Sequence, residues 1–265
     1  MQILEDRVII KAFGKDAKRY LQSTTTNDIE VLTKESDSIY AYFLNAQGRF
    51  LYDSFIIMAE DGYFLDVNKD YAEKLLSRLD FYKLNMKVNF SLEKNLKIFY
   101  QKTKREGKIV YKDSRYEKMG YRCVSTLVDG PVDESYLEDK YEYSIPDGFT
   151  DLVHEKSLPP EFGCDFLSSV SYTKGCYTGQ EVISRTKYQG VVRKNLYKLT
   201  FKDNMEDLKG EEIVLGNEKI GYITSSWKDI AIALLKTEKI KDYEGLLYSE
   251  RAGHGEFALA SFYQV

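Results

Sequence analysis

The run Lys174-Gly175-Cys176-Tyr177-Thr178-Gly179-Gln180-Glu181 concentrates reactive chemistry in eight residues. One thiol stands between two glycines, which permit positive φ and a close approach of backbone. Lys174 precedes the thiol by two residues and Arg185 follows it by nine. Cations so placed would favour the thiolate, the form that attacks electrophiles and binds metals. Gly179-Gln180-Glu181 reads as the start of a helix through Val182 and Ile183, and a thiol just before a helix N-terminus is favoured in the same sense. A free cysteine is more often a small buried hydrophobe, but the density of glycine, cations and polar groups sets this one apart. A thiol nucleophile needs a base. Of the two histidines, only His154 lies upstream as a candidate, within a proline-rich stretch. His254, in Ala252-Gly253-His254-Gly255, reads as a loop residue between strands. Cys123 sits in a strand pattern and Cys164 beside Gly163, and both read as structural. Without an evident base or companion ligand, Cys176 reads as a thiol shared with a partner, for instance at the edge of a metal cluster.

The elements that must position this run follow from periodicity. Val8–Ala12, Tyr40–Leu44, Phe50–Met58 and Tyr63–Val67 read as strands, with Asn45-Ala46-Gln47-Gly48-Arg49 as a hairpin turn. Asp16–Gln22 reads as a short helix. Asp70–Tyr82 places Tyr71, Leu75, Leu76 and Leu79 at helical spacing. Met86–Leu92, Leu96–Gln101 and Gly120–Val124 are strand-like. The polar, basic stretch 102–120 reads as a surface loop or hairpin, and Asp129-Gly130-Pro131 as a turn. Asp133–Tyr143 reads as helical, and Ile145–Pro160 as irregular. From Val191 onward come short strands, 196–201, 212–215, 219–225, 230–235 and 257–262, punctuated by glycines, a spacing that suggests a small barrel or sandwich. The whole reads as α+β followed by all-β, with domains 1–190 and 191–265.

Bulk properties remove some function classes. The net charge of −4 gives no general basic field for nucleic acid. No apolar run approaches the roughly 20 residues that span a bilayer. Three unevenly spaced cysteines do not form a disulfide framework. The acidic start Met1-Gln2-Ile3-Leu4-Glu5-Asp6 lacks a basic region and an apolar core, so no secretory leader is expected and a cytoplasmic location is.

The octapeptide resembles the signature of the YgfZ family of folate-binding proteins, relatives of the glycine-cleavage T-protein that act in iron–sulfur cluster maturation. Val170-Ser171-Tyr172 before it, and Arg185, Gly190 and Arg193-Lys194 after it, agree. Asp165 matches the family's upstream acid. Gly14-Lys15-Asp16-Ala17, Leu21-Gln22, Thr26-Asn27-Asp28 and Asn45–Arg49 agree more loosely. Ile145-Pro146 fits a Gly-Ile-Pro element, with Ser144 where glycine is usual.

The resemblance implies an α+β T-protein-like region, multi-lobed around a central opening, followed by a small C-terminal β-barrel. It implies tetrahydrofolate in the opening and a part in assembling or repairing [4Fe–4S] enzymes. A-type scaffold proteins and the client enzymes are the implied partners, a transient iron–sulfur cluster is the shared group, and no independent turnover is expected. Asn27, Asp53 and Glu142 are the candidates for the pterin. Lys174, Gln180, Glu181 and Arg185 join Cys176 at the motif, with Lys174, Arg185 or Arg193 suited to a folate's glutamate tail. The alternative is an aminomethyltransferase or related one-carbon transferase. Those enzymes carry paired aspartates where this chain has Tyr52-Asp53, which counts against the alternative. A link to thiolated tRNA is expected to be indirect, with no membrane and no direct nucleic-acid contact.

Overall fold

The computed structural model describes residues 2–104, 109–126 and 133–264. After β1 (Gln2–Ile3) comes the first sheet, built from β2 (Arg7–Phe13), β3 (Ser38–Leu44), β4 (Phe50–Ala59), β5 (Gly62–Asn68) and β6 (Asn89–Glu93) in the antiparallel order β3-β4-β5-β2-β6. Helices α1 (Ala17–Thr24) and α2 (Lys69–Tyr82) cover one face. Asn68 caps α2 by accepting from Asp70 N–H, and Ala72, Leu75 and Leu79 bury its inner stripe. Both faces of the sheet are covered, so β3 and β4 are buried almost throughout. Alternation still sorts their side chains: Tyr52 and Ile56 enter the core under the helices, while Phe55 and Ile57 enter a second core on the opposite face.

That second core is shared with a smaller sheet, β1-β7-β9-β8, made with β7 (Lys97–Gln101), β8 (Ile109–Lys112) and β9 (Tyr121–Ser125). Within the stretch 102–120, β8 forms a hairpin with β9, as the reading of a loop or hairpin allows. Its described residues are not all at the surface: Tyr111, Asp113, Arg115 and Met119 are buried, and Arg115 pairs with Asp113 beside it and with Asp147, 32 positions on. The turn expected at Asp129–Pro131 lies outside the described residues. Next come α3 (Ser135–Tyr143), the single turn α4 (Gly148–Asp151), and α5 (Gln180–Gln189). Ser144, standing where the resemblance favours glycine, ends α3 at φ +57° in the left-handed region.

The chain closes as a six-stranded antiparallel barrel, ordered β10-β13-β12-β11-β14-β15. Its strands are β10 (Lys194–Phe201), β11 (Glu212–Leu215), β12 (Glu218–Trp227), β13 (Ile230–Lys236), β14 (Leu247–Ser249) and β15 (Gly253–Leu259), with the short α6 (Thr237–Ile240) after β13. β14 is too short to register as a pattern. β15 begins four residues before the run read at 257–262, which places His254 in a strand. The barrel is no appendage: Leu196, Ile232, Leu234 and Phe262 belong to the same core as Phe55 and Tyr100. Among the described residues no helix is long and apolar enough to cross a membrane.

Candidate functional site

The loop carrying Cys176 is stitched to the segment that follows α1. Lys174 is buried, and its ammonium donates to the carbonyls of Thr25 at 2.8 Å and Asn27 at 2.6 Å. It lies 5.2 Å above the Tyr177 ring. Burial pushes its pKa down to about 8. On one side of the thiol, Ser171 N–H donates to Thr26 O and Thr26 Oγ1 to Ser169 O; on the other, Thr178 N–H donates to Ser23 O. Tyr177 points inward and Cys176 points out, exposed. A Cβ placed on Gly175 would meet nothing within 4 Å, so the residue before the thiol borders open space.

A second anchor comes from the β3–β4 hairpin. Asn45 Oδ1 accepts from the N–H groups of Gln47 and Arg49, holding the turn. Its tip lies directly under the start of α5. Gly179 has φ +84°, and a Cβ there would stand 2.6 Å from Asn45 O. Gly48, at φ +70°, leaves room for Val182 in the same way. Only glycine satisfies both the left-handed backbone and this clearance. A third anchor is Asp165, which accepts from Tyr172 OH and from Lys187 Nζ at 2.8 Å. Tyr172 also packs edge-on against Tyr188 at the far end of α5. Asp165, Tyr172 and Lys187 fix the loop from below. The sequence marks Asp165 and Tyr172 by resemblance but not Lys187, since nothing local signals a contact 22 residues away.

The remaining candidates part company. Gln180 is half-buried and Glu181 and Arg185 are exposed, all on the helix that leaves the thiol loop. Asn27 is near, but its amide is spent: it donates to Tyr40 O and Ser168 O and accepts from Asp28 N–H. Glu142 stands at the exposed end of α3 and pairs with Lys198 of β10 at 2.7 Å. His154 packs against the rings of Tyr52 and Tyr71. Asp53 is 2% exposed and sits where the lobes meet.

That junction is filled with charge. Arg7 pairs with Asp66 at 2.7 Å and with Asp53 at 3.4 Å. Arg122 joins Asp66 to Asp113, and Arg115 joins Asp113 to Asp147. Lys140 joins Asp147 to Asp151, whose other oxygen accepts from Thr224 and Ser225 of the barrel. Burial alone would raise Asp147, but Lys140 and Arg115 outweigh it and hold the carboxyl well below the usual range. Asp113 is lowered against its burial by Arg115 and Arg122.

The resemblance implies a folate here, and the residues present do not fit one. Asp53 Oδ2 accepts from Tyr40 OH, and Oδ1 has no hydrogen-bond partner among the described residues. That oxygen is covered by Gly148, on which a Cβ would lie 2.2 Å from it. The adjoining cavity, between Arg7, Asn68, Arg122 and Asp147, holds about 10 Å³, room for about one water. A neighbouring cleft of about 470 Å³ carries the carboxylates of Glu5, Asp6, Asp133, Glu134 and Asp147, with Lys140 as the cation among its described lining residues. A larger cleft, about 660 Å³ between β5 and the β8–β9 pair, is lined by none of the candidate residues.

No family model matches the chain. It is 28% identical to the human mitochondrial iron–sulfur cluster assembly factor IBA57, over 97% of this chain and 82% of that protein. The mouse protein of the same name is 27% identical, over 90% of this chain and 78% of its own length. A homologue from Pyricularia oryzae is 30% identical over 76% of this chain, which spans 57% of that longer protein. The crystal structure of the glycine cleavage system aminomethyltransferase T from Bartonella henselae superposes with a TM-score of 0.74, covering 98% of this chain and 85% of that one at 14% identity. The fold is that of the aminomethyltransferase T-protein. The expected cytoplasmic location is overturned, since these assembly-factor relatives are mitochondrial. The acidity of the first residues carries no information on organelle destination.

Proposed function

We propose that this protein assists iron–sulfur cluster assembly, with Cys176 giving one thiolate to a cluster whose other ligands come from a second protein. The observation that carries this reading is the placement of Cys176: exposed, with open space at Gly175, on a loop held by Lys174, the 45–49 hairpin and Asp165. Among the described residues no group of three or more His, Cys, Asp or Glu side chains stands together as a metal-binding set. A cluster edge at Cys176 therefore needs thiolates from outside the chain. The Cys176 proton leaves to solvent as an iron–sulfur bond forms, and no redox step is required. Gln180, Glu181 and Arg185 flank the approaching partner, while Lys174 fixes the loop. The similarity to the mitochondrial assembly factors supports the same reading and points to work in the mitochondrion; the partners we propose are A-type scaffolds and [4Fe–4S] enzymes.

Aminomethyl transfer has less support. Tyr52, where a second acid would stand, turns into the helix-covered core against Tyr71 and cannot act beside Asp53.

The test is complementation of cells lacking their own factor, read as activity of a mitochondrial [4Fe–4S] enzyme. Wild type restores it, and Cys176→Ala, present at the same level and folded, does not. Full rescue by the alanine variant would remove the thiol from the function.

A further inference from the structure

We infer that the place which the resemblance assigns to tetrahydrofolate is closed in this protein, and that the residues there instead form an ion lattice fastening the lobes together. The inference stands apart from the role of Cys176 and does not depend on it.

Three observations carry it. The first is commitment of donors. Of the residues chosen for their suitability to a pterin or a glutamate tail, Asn27, Lys174 and Glu142 have other tasks, while Arg185 and Arg193 are exposed. Asn27 spends its amide on two backbone carbonyls and a backbone N–H. Lys174 spends its ammonium on Thr25 and Asn27, and Glu142 pairs with Lys198 across to the barrel. The second is space. The unpartnered oxygen of Asp53, the atom best suited to a pterin's donor edge, lies against Gly148; the cavity beside Arg7 and Arg122 holds about 10 Å³, and the neighbouring cleft of about 470 Å³, large enough for a ligand, is not lined by Asp53. The third is charge. Arg7, Arg115, Arg122 and Lys140 face Asp53, Asp66, Asp113, Asp147 and Asp151, so no cation in the lattice is left over for an anionic tail. The cleft beside it carries further carboxylates.

The lattice has a task of its own. Arg7, Asp53 and Asp66 belong to the first sheet, Arg122 to the second, and Lys140 and Asp151 to α3 and α4. Asp151 reaches Thr224 and Ser225 in the barrel. The Arg122 guanidinium also lies 4.2 Å over the Phe55 ring, packed as well as paired. Opening this junction enough to admit a bicyclic ring would strand buried charges without partners, and removal of one partner from such a set is strongly unfavourable.

The experiment is calorimetric titration of tetrahydrofolate and of the oxidation-resistant 5-formyl-tetrahydrofolate into the purified wild-type protein and the Asp53→Asn variant, with a thermal melt of each. The expected result is no saturable heat and no melting shift at millimolar folate. Saturable binding that Asp53→Asn leaves unchanged also agrees, since the ligand then sits elsewhere. Saturable binding by wild type that falls tenfold or more in a folded Asp53→Asn protein overturns the inference. If that variant does not fold, Tyr40→Phe, which removes only the hydroxyl from Asp53, replaces it in the same comparison.

Discussion

Two glycines flank Cys176, and at the residue scale they do different work. Gly179 has both a left-handed backbone and a backbone oxygen 2.6 Å from where a Cβ would go. Gly179→Ala should therefore cost about 1–3 kcal/mol in urea unfolding, the range for a strained backbone position. Gly175 has neither a positive φ nor a neighbour within 4 Å, so Gly175→Ala should stay within about 0.5 kcal/mol of wild type. If it nevertheless fails in complementation, the open space at Gly175 is used by the partner. Lys174→Met should leave two carbonyls without their donor, at a cost of about 1–3 kcal/mol. Its pH dependence has a definite sign. Burial lowers the folded pKa of Lys174 from the ordinary 10.5 to about 8, so folding penalises the bound proton. That penalty is complete below pH 8 and disappears as pH rises toward 10.5. Wild type should gain stability relative to Lys174→Met across that window.

Elements meet at the thiol through contacts distant in sequence. The hairpin supports the first turn of α5, and Asp165 ties its last turn to the loop before the thiol. Asp165→Asn should keep the fold but release the end of α5, which would appear as faster amide hydrogen exchange over Arg185–Gln189 while the first turn keeps its protection. The junction of α3 and α4 with the barrel gives a second test. Trp227, the single tryptophan, lies on β12 and stacks on Tyr141 of α3 at 6.0 Å, so its fluorescence reports that junction. In wild type, fluorescence and far-ultraviolet dichroism should unfold together. Asp151→Ala removes a partner of Lys140 and the acceptor of two barrel hydroxyls, and should cost about 3–5 kcal/mol, with the fluorescence transition moving first.

On the scale of the whole molecule, the ion lattice makes stability depend on acid. Asp113 and Asp147 have folded pKa values below their unfolded ones, because Arg115, Arg122 and Lys140 outweigh burial. Their stabilising contribution is present above the ordinary carboxylate pKa of about 4 and is lost as pH falls through and below it. Urea midpoints should hold between pH 7 and pH 5 and then fall steeply. Added salt should change them little, since buried pairs are weakly screened. A midpoint that sinks steadily from pH 7, or strongly with salt, would place the stabilising pairs at the surface.

Local chemistry was enough to find the thiol motif, the 45–49 turn, α2 and most barrel strands. Turn residues, glycines and apolar periodicity act over a few residues, so their signal survives without the fold. The same locality explains the failures. The run 102–120 reads as a loop or hairpin, and β8 does pair with β9, but composition could not tell that its charges face a buried partner: Arg115 faces Asp113 and Asp147. Asp53, Asn27 and Glu142 were chosen by residue type and a loose resemblance, yet what each can bind depends on who has already taken its hydrogen bonds. Lys174 was read as a cation near the thiol, and only packing turned its ammonium inward to Thr25 and Asn27. Charge and donor capacity are properties of residues. Whether they remain available is decided by pairs many positions apart, and those exist only once the lobes have closed on one another.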